Sequence, residues 1–363
     1  MKNRINAKQT LKNPRVSLIR RWFSCSLLLL VTGYWSLVTD VYAGPETGAT
    51  SANFLKIPVA VIPSALGQSY TAMISPDSIL FNPAGLGLLS YSCFSGSHNQ
   101  YVVGIRQEYA AITYRSKYGA VGLGFSMLDS GDIPSYDQDD ILLGNTDTSH
   151  QFIILSVSQS FPNFPQDRGK LDPMIITPNW TRIEPVTDYR PKVYRFSIGA
   201  SAKSVAETLD DLTSKTYTFD FGALLVLPHH FQIGASFLNA GGKQKFFTSS
   251  YEVSSVSRFG IAKDFHTVGD IMIFTLIGDM VKESDKDRYG SFGIETDILR
   301  LFQFRMGYVS RKDEGSKISG GLGLNLDRFT EKENIISGAR VDYAYLNYGD
   351  FGATHRIGFQ LIW

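Results

Sequence analysis

From Tyr91 onward, apolar residues recur at every second position through one segment after another. Tyr194, Phe196, Ile198, Ala200 and Ala202 interleave with Arg195, Ser197, Gly199, Ser201 and Lys203. Tyr217, Phe219, Phe221, Ala223, Leu225 and Leu227 do the same, as do Phe302, Phe304, Met306 and Tyr308. The chain ends Ile357, Phe359, Leu361, Trp363, alternating with Arg356, Gly358 and Gln360. A period of two describes a strand with one apolar and one polar face. No stretch sustains a helical period. Segments of this kind, split by Gly, Asp, Asn and Pro clusters, predict strands at about 88–97, 106–116, 119–129, 150–161, 192–207, 215–227, 231–240, 251–263, 268–280, 288–299, 302–310, 316–327, 335–347 and 354–363. That makes fourteen. Residues 268–280 are apolar on both faces.

In water the apolar face would be a core; in an outer membrane it faces lipid and the polar face lines the lumen. Alternation alone does not separate these. The N-terminus does: Lys2, Arg4, Lys8, Lys12, Arg15, Arg20 and Arg21 precede an apolar run from Trp22 to about Val38, then Val41-Tyr-Ala43 before Gly44. A basic region, a short apolar core and small residues before a cut predict a secretory signal peptide over 1–43. The terminal aromatic strand agrees, because a soluble chain rarely ends on an ordered apolar strand whereas a closed barrel must pair its last strand with its first. It is similar to the C-terminal signal by which the outer-membrane insertion machinery recognises its barrels. The expected fold is therefore all-β: a transmembrane antiparallel barrel of about 14 strands over 88–363, in the bacterial outer membrane.

An even strand count puts both barrel ends on one side, the periplasmic one. Residues 130–149, 241–250, 281–288 and 348–353 then fall outside. The Pro-rich segment 162–191 fits badly, since parity asks for a short periplasmic turn there. Tyr194, Tyr217, Phe231, Tyr251 and Tyr308 are expected in interfacial girdles. Removal of 1–43 takes seven basic residues and Asp40, leaving 28 basic against 33 acidic, which gives no support to nucleic-acid binding. It also leaves Cys93 as the single cysteine, so no intrachain disulfide forms.

Residues 44–87 do not read as wall. Asn53-Phe-Leu-Lys-Ile57 runs into Pro58 and Pro63, and Asp77-Ser-Ile-Leu-Phe-Asn-Pro-Ala-Gly-Leu86 closes the segment. It is too apolar for a free tail and too broken to span, so it is expected inside the barrel as a plug, where irregular backbone finds lumenal partners. Gly67, Tyr70-Thr-Ala72, Asp77 and Asn82-Pro-Ala-Gly-Leu86 together resemble the hatch of the long-chain fatty acid transporter (FadL-like) superfamily, with spacing similar to its PorV/PorQ-like and spirochaete branches. The resemblance covers residues 52–87 by motif and the rest by architecture. It implies a fourteen-stranded barrel that takes up hydrophobic molecules such as long-chain fatty acids passively, through an apolar pocket at the hatch and a lateral exit by a kinked third strand. PorV-like relatives imply the alternative, a barrel that binds protein partners of a secretion or assembly system at its long loops.

Phe54, Leu55, Ile57, Val59, Val61 and Ile62 are the candidate ligand-binding residues, unless they only pack the plug on the wall. Asn82, Pro83 and Ala84 form the hatch motif, with a structural role at a turn. Gly122 and Gly124 in the third strand could permit a kink, or simply fit a crowded lumen. Arg195, Lys203, Asp220, Glu295, Asp297, Arg305, Arg340, Asp342 and Arg356 fall on the inner face, where both signs would pair and hold the hatch. Asp129, Asp132, Asp137, Asp139 and Asp140 read as a solvated outer loop without calcium-loop spacing. His229-His230 has no ligand at local spacing, so no metal is expected. No nucleophile elbow or phosphate loop occurs, so neither an enzyme nor a cofactor is expected.

Overall fold

The computed structural model describes residues 50–101, 104–116, 118–131, 133–161, 194–210, 212–246, 248–267, 271–311, 317–326, 336 and 338–363. The expected signal peptide over 1–43 and segment 162–191 lie outside the described residues. Fourteen antiparallel strands close into a barrel in sequence order: β1 Cys93–Gln100, β2 Arg106–Ser116, β3 Gly119–Asp129, β4 Thr148–Phe161, β5 Arg195–Leu209, β6 Leu212–Leu227, β7 Phe231–Ala240, β8 Val256–His266, β9 Met272–Glu283, β10 Tyr289–Ile298, β11 Phe302–Val309, β12 Ile318–Asn325, β13 Gly338–Asn347 and β14 Ala353–Ile362. The terminal strand closes the wall by pairing with the first, Phe359 opposite Gly96 and Leu361 opposite Phe94. No edge remains.

The outward positions are apolar and exposed: Val121, Leu123, Phe125 and Met127 on β3, Ile153, Leu155 and Val157 on β4, and Phe302, Phe304 and Met306 on β11. A closed barrel with such a surface is an outer-membrane barrel, since lipid is the solvent that accepts that face. Cys93 is free and buried. The end carrying Cys93 and Ile362, with the three-residue links 228–230 and 299–301, is periplasmic by the rule that the short turns face that way. The opposite end carries added hairpins at Ile133–Tyr136/Leu142–Thr146 and Lys243–Phe246/Ser249–Val253. Tyr251 lies on the second of these and so belongs to no girdle of the wall.

Two boundaries differ from the sequence expectation. The wall starts at Cys93 rather than 88, because Asn82 caps a 3₁₀ turn over Pro83–Leu88 that continues the plug's apolar run almost into β1. Expected strand 251–263 begins instead at Val256, the preceding residues being taken by the outer hairpin.

The plug is the segment from Thr50 to Ser92: 3₁₀ turns at Asn53–Lys56, Pro76–Leu80 and Pro83–Leu88, and one short helix, α1, at Val61–Ala65. Its hydrogen bonds reach Ser97 on β1, Arg115 on β2, Ser158 on β4, Ser197 on β5, Ser236 on β7, Asp279 on β9, Ser291 on β10, Ser319 on β12 and Arg356 on β14. A segment bonded to strands on every side can only lie inside the barrel. It also explains β9, apolar on both faces: Phe274, Leu276 and Met280 turn outward, while Ile277 packs on Leu66, Tyr70 and Ala72 of the plug.

Candidate functional site

The plug sits where the wall has no side chains. Gly199 and Gly222 are register partners on β5 and β6, and the turn Asn82–Ala84 fills the flat place they leave. A Cβ on Gly222 would stand 2.0 Å from Asn82 Oδ1, and one on Gly199 would stand 2.4 Å from the Pro83 carbonyl carbon. Two further cross-strand pairs repeat the device: Gly234 with Gly260 under Thr71–Ala72, and Gly293 with Gly307 under Leu66–Gly67.

Asn82 then makes three hydrogen bonds. Its Nδ2 donates to the Thr71 carbonyl at 2.7 Å and the Ala223 carbonyl at 3.0 Å, and its Oδ1 accepts from the Ala84 amide at 3.2 Å. One side chain thereby ties two plug turns to each other and to β6. Pro83 follows the cap at the position where a missing amide costs nothing. The Ala84 carbonyl accepts from Ser197 at 2.7 Å and from Ser158 at 3.2 Å.

A second anchor, Arg258 with Asp279, escapes a reading by motif. Asp279 Oδ2 accepts from the Tyr70 amide at 3.0 Å, the Thr71 amide at 3.1 Å and the Thr71 hydroxyl at 2.6 Å. Arg258 donates to Thr71 Oγ1 at 3.0 Å, to Asp279 at 3.0 Å and to the Gln68 carbonyl, and it stands over the Phe81 ring. The available signal was parity: both residues occupy inward positions of otherwise apolar strands. The third anchor is at the outer rim, where Lys56 bridges Asp285 at 2.5 Å and Glu283 at 3.6 Å, and Thr50 donates to Asp285 at 2.8 Å.

Six of the nine inward charges expected from sequence pair with one another. Lys203 meets Asp220 at 2.8 Å; Arg305 meets Glu295 at 2.5 Å and Asp342 at 2.8 Å; Arg340 meets Asp342 at 3.0 Å. Arg356 reaches the plug, donating to Ser64 Oγ at 2.6 Å.

Between the plug and β4–β10, toward the outer mouth, lies a small open cleft with a cavity volume of about 70 Å³. Leu55, Ile57 and Val59 form its plug side, with Leu80 and Phe81; Phe152, Leu238, Val256 and Tyr289 form its wall side. Lys56, Lys203 and Arg258 also border it, each already facing a carboxylate. Of the six candidate ligand residues, three line this cleft. Phe54 lies behind it, stacked on His150 and tilted against Phe152. Val61 and Ile62 sit in α1 on the far side, bordering a separate crevice with Asp77, Ser95 and Gly358.

The wall's irregularity is not where the third-strand glycines pointed. β3 keeps an unbroken register with both neighbours, Gly122 lying beneath Ile79 and Leu86 and Gly124 beside Ile154. The two glycines fit crowded packing and form no bulge. The register shift falls between Phe237 and Ala240 of β7. It turns Asn239 inward to the cleft beside Leu238, which the alternation already places there, with Asn239 at φ 59° and its side-chain oxygen on Lys203. In the outer loop, Asp137 Oδ1 accepts from the Asp139 and Ile141 amides, an ordinary side-chain-stabilised turn.

Among solved structures, the chain is similar to the Ralstonia pickettii toluene transporter TbuX, at 12% identity over 84% of this chain and 97% of that one, with a TM-score of 0.48. It is similar also to the Pseudomonas putida toluene transporter TodX, at 8% identity over 83% and 95% with a TM-score of 0.49, and to a Pseudomonas aeruginosa FadL homologue, at 8% over 84% and 97% with a TM-score of 0.43. No family model and no curated relative matches the chain. The FadL-like superfamily expected from residues 52–87 is represented among these neighbours, and at such identities the likeness concerns the barrel fold.

Proposed function

We propose that this barrel admits hydrophobic molecules passively across the outer membrane, receiving them in the outer cleft over the plug. The cleft carries the reading: a recess built jointly by plug and wall, open toward the outer mouth, whose apolar side chains Leu55, Ile57, Val59, Leu80, Phe81, Phe152, Leu238 and Val256 face one another beside paired charges. An apolar recess takes up about 0.8 kcal/mol per buried methylene that an aqueous pore would not supply. The plug must then yield for passage, so its three anchors are the gate. Long-chain fatty acids are one substrate class. Because Lys56, Lys203 and Arg258 already face carboxylates, neutral hydrophobic molecules suit the cleft at least as well.

The test is uptake by bacteria lacking their own transporter, with labelled long-chain fatty acid and labelled toluene as separate probes. Uptake above the empty-vector level that Ile57→Asp and Leu238→Asp reduce, from barrels of verified folding, is expected. No uptake of either probe by the folded barrel overturns the proposal.

One observation favours the partner-binding alternative. Tyr136, Ile141, Leu142 and Leu143 stand exposed on the outer hairpin, beyond the ends of β3 and β4. Removal of residues 133–146 separates the two readings: it leaves uptake unchanged under the first and abolishes partner capture under the second.

A further inference from the structure

The periplasmic rim carries a second grouping of reactive side chains, far along the strands from the cleft. The turn Pro228–His230 joins β6 to β7, and β7 pairs with β8 so that Phe231 faces Lys263. One residue further on, the Asp264 amide donates to the His230 carbonyl at 3.2 Å. His266 follows two residues later, on the same face of β8 as Asp264. The His230 and His266 rings lie 4.5 Å apart between centroids. The ligating atoms of His230, Asp264 and His266 all fall within 4.8 Å of one another.

Three further features fit a built site. The Thr275 hydroxyl, on β9, donates to Asp264 Oδ1 at 2.8 Å, which fixes the carboxylate as an outer-shell partner does. His229 and His230 both hold positive φ, 66° and 57°, in a turn where Gly or Asn ordinarily sits. The chain has six histidines, and three of them meet at this rim. His229-His230 has no ligand at local spacing; the sheet register supplies two, from 34 and 36 residues away.

We propose that His230, Asp264 and His266 bind a divalent transition-metal ion, with zinc the cation whose preferences they match. Two neutral imidazoles and one carboxylate form a zinc donor set, whereas calcium and magnesium call for oxygen ligands throughout. His266 is exposed, so its side chain can turn to close the present spread to tetrahedral spacing. Three protein ligands leave a fourth position to water, the open form of a zinc site. The bound ion staples the β6–β7 turn to the end of β8 and, through Thr275, to β9.

The test uses the full mature chain in detergent, purified without a polyhistidine tag and stripped with chelator. Zinc is titrated by calorimetry, and cobalt(II) serves as a spectroscopic probe. One saturable equivalent is expected, weakened at least tenfold by His266→Ala and by Asp264→Asn, and unchanged by His229→Ala or His98→Ala. Cobalt should give visible bands in the parent that disappear in His266→Ala. Heat-modifiable migration on gels establishes that each variant is folded; should Asp264→Asn not fold, exposed His266→Ala decides. No saturable binding to the parent, or equal binding to His266→Ala, overturns the proposal.

Discussion

Replacing Asn82 by Ala should release the plug while leaving the wall intact. Asn82 is buried, and all three of its hydrogen bonds go to backbone. Its loss strips the 3₁₀ turn at Pro83–Leu88 of its cap, worth about 1 kcal/mol. It also leaves the Thr71 and Ala223 carbonyls without their side-chain donor, at about 1–3 kcal/mol for each buried group left unpaired. Part of this is recovered by relaxation, so the plug's seating should weaken by about 3–5 kcal/mol. At about 1.4 kcal/mol per factor of ten, amide exchange within 78–89 should accelerate roughly 100- to 4,000-fold. The ladders of β5 with β6 and β6 with β7 are backbone bonds and do not involve the side chain. Heat-modifiable migration should therefore persist.

A second variant makes the reasoning refutable. Gly222→Ala places a methyl 2.0 Å from Asn82 Oδ1 and 3.0 Å from Pro83 Cδ, overpacking that should cost about 1–3 kcal/mol. In the Asn82→Ala background the oxygen is gone and only the looser contact to Pro83 remains. Gly222→Ala should then cost much less than it does alone. Additivity of the two within about 0.5 kcal/mol, measured by exchange at Gly85 and Leu89, would mean that the glycine is not the seat of the asparagine.

The other anchors give sharper contrasts. Asp279→Ala leaves the buried Arg258 cation unpaired and should weaken plug seating by about 3–5 kcal/mol, with Arg258→Ala/Asp279→Ala losing less than the sum; protection of the Tyr70 and Thr71 amides is the readout. Burial would raise the Asp285 carboxyl, but hydrogen bonds from Lys56, Thr50 and Ser254 bring it down to about 2. A depressed carboxyl stabilises above its unfolded value near 4 and loses that contribution as pH falls toward 2. Proteolytic release of the 50–57 arm should accordingly rise between pH 4 and pH 2, and Asp285→Asn should flatten that dependence. Asp77 behaves oppositely: burial, with the neighbouring Asp342 charge, raises its carboxyl to about 7. Its contribution is most favourable below pH 4 and is lost as pH rises to 7, so Asp77→Asn should protect the plug amides at pH 8 and change them little at pH 4.

The wall was legible because its solvent imposes the simplest pattern. With lipid outside and the plug inside, a period of two runs undisturbed through β2 and β3, which fall at the expected residues. The pattern failed where the solvent changes. At Pro83–Leu88 the apolar residues face the lumen from within the plug, and alternation cannot tell that surface from a strand. At 130–149 and 241–255 the chain leaves the membrane, and the hairpins there follow turn chemistry instead. The site was less legible for a further reason: its parts acquire meaning only through register. Gly199 and Gly222 are two unremarked glycines 23 residues apart until pairing sets them side by side under Asn82. Arg258 and Asp279 become diagonal neighbours across β8 and β9 by the same means, and His230, Asp264 and His266 come together at the rim. Leu55, Ile57 and Val59 could be named in advance because they lie close together in the chain, whereas Asn239 could not, because a bulge turns it inward against its strand's alternation. What a barrel does with its lumen is thus written in pairs of positions rather than in motifs, and closure fixes those pairs all at once.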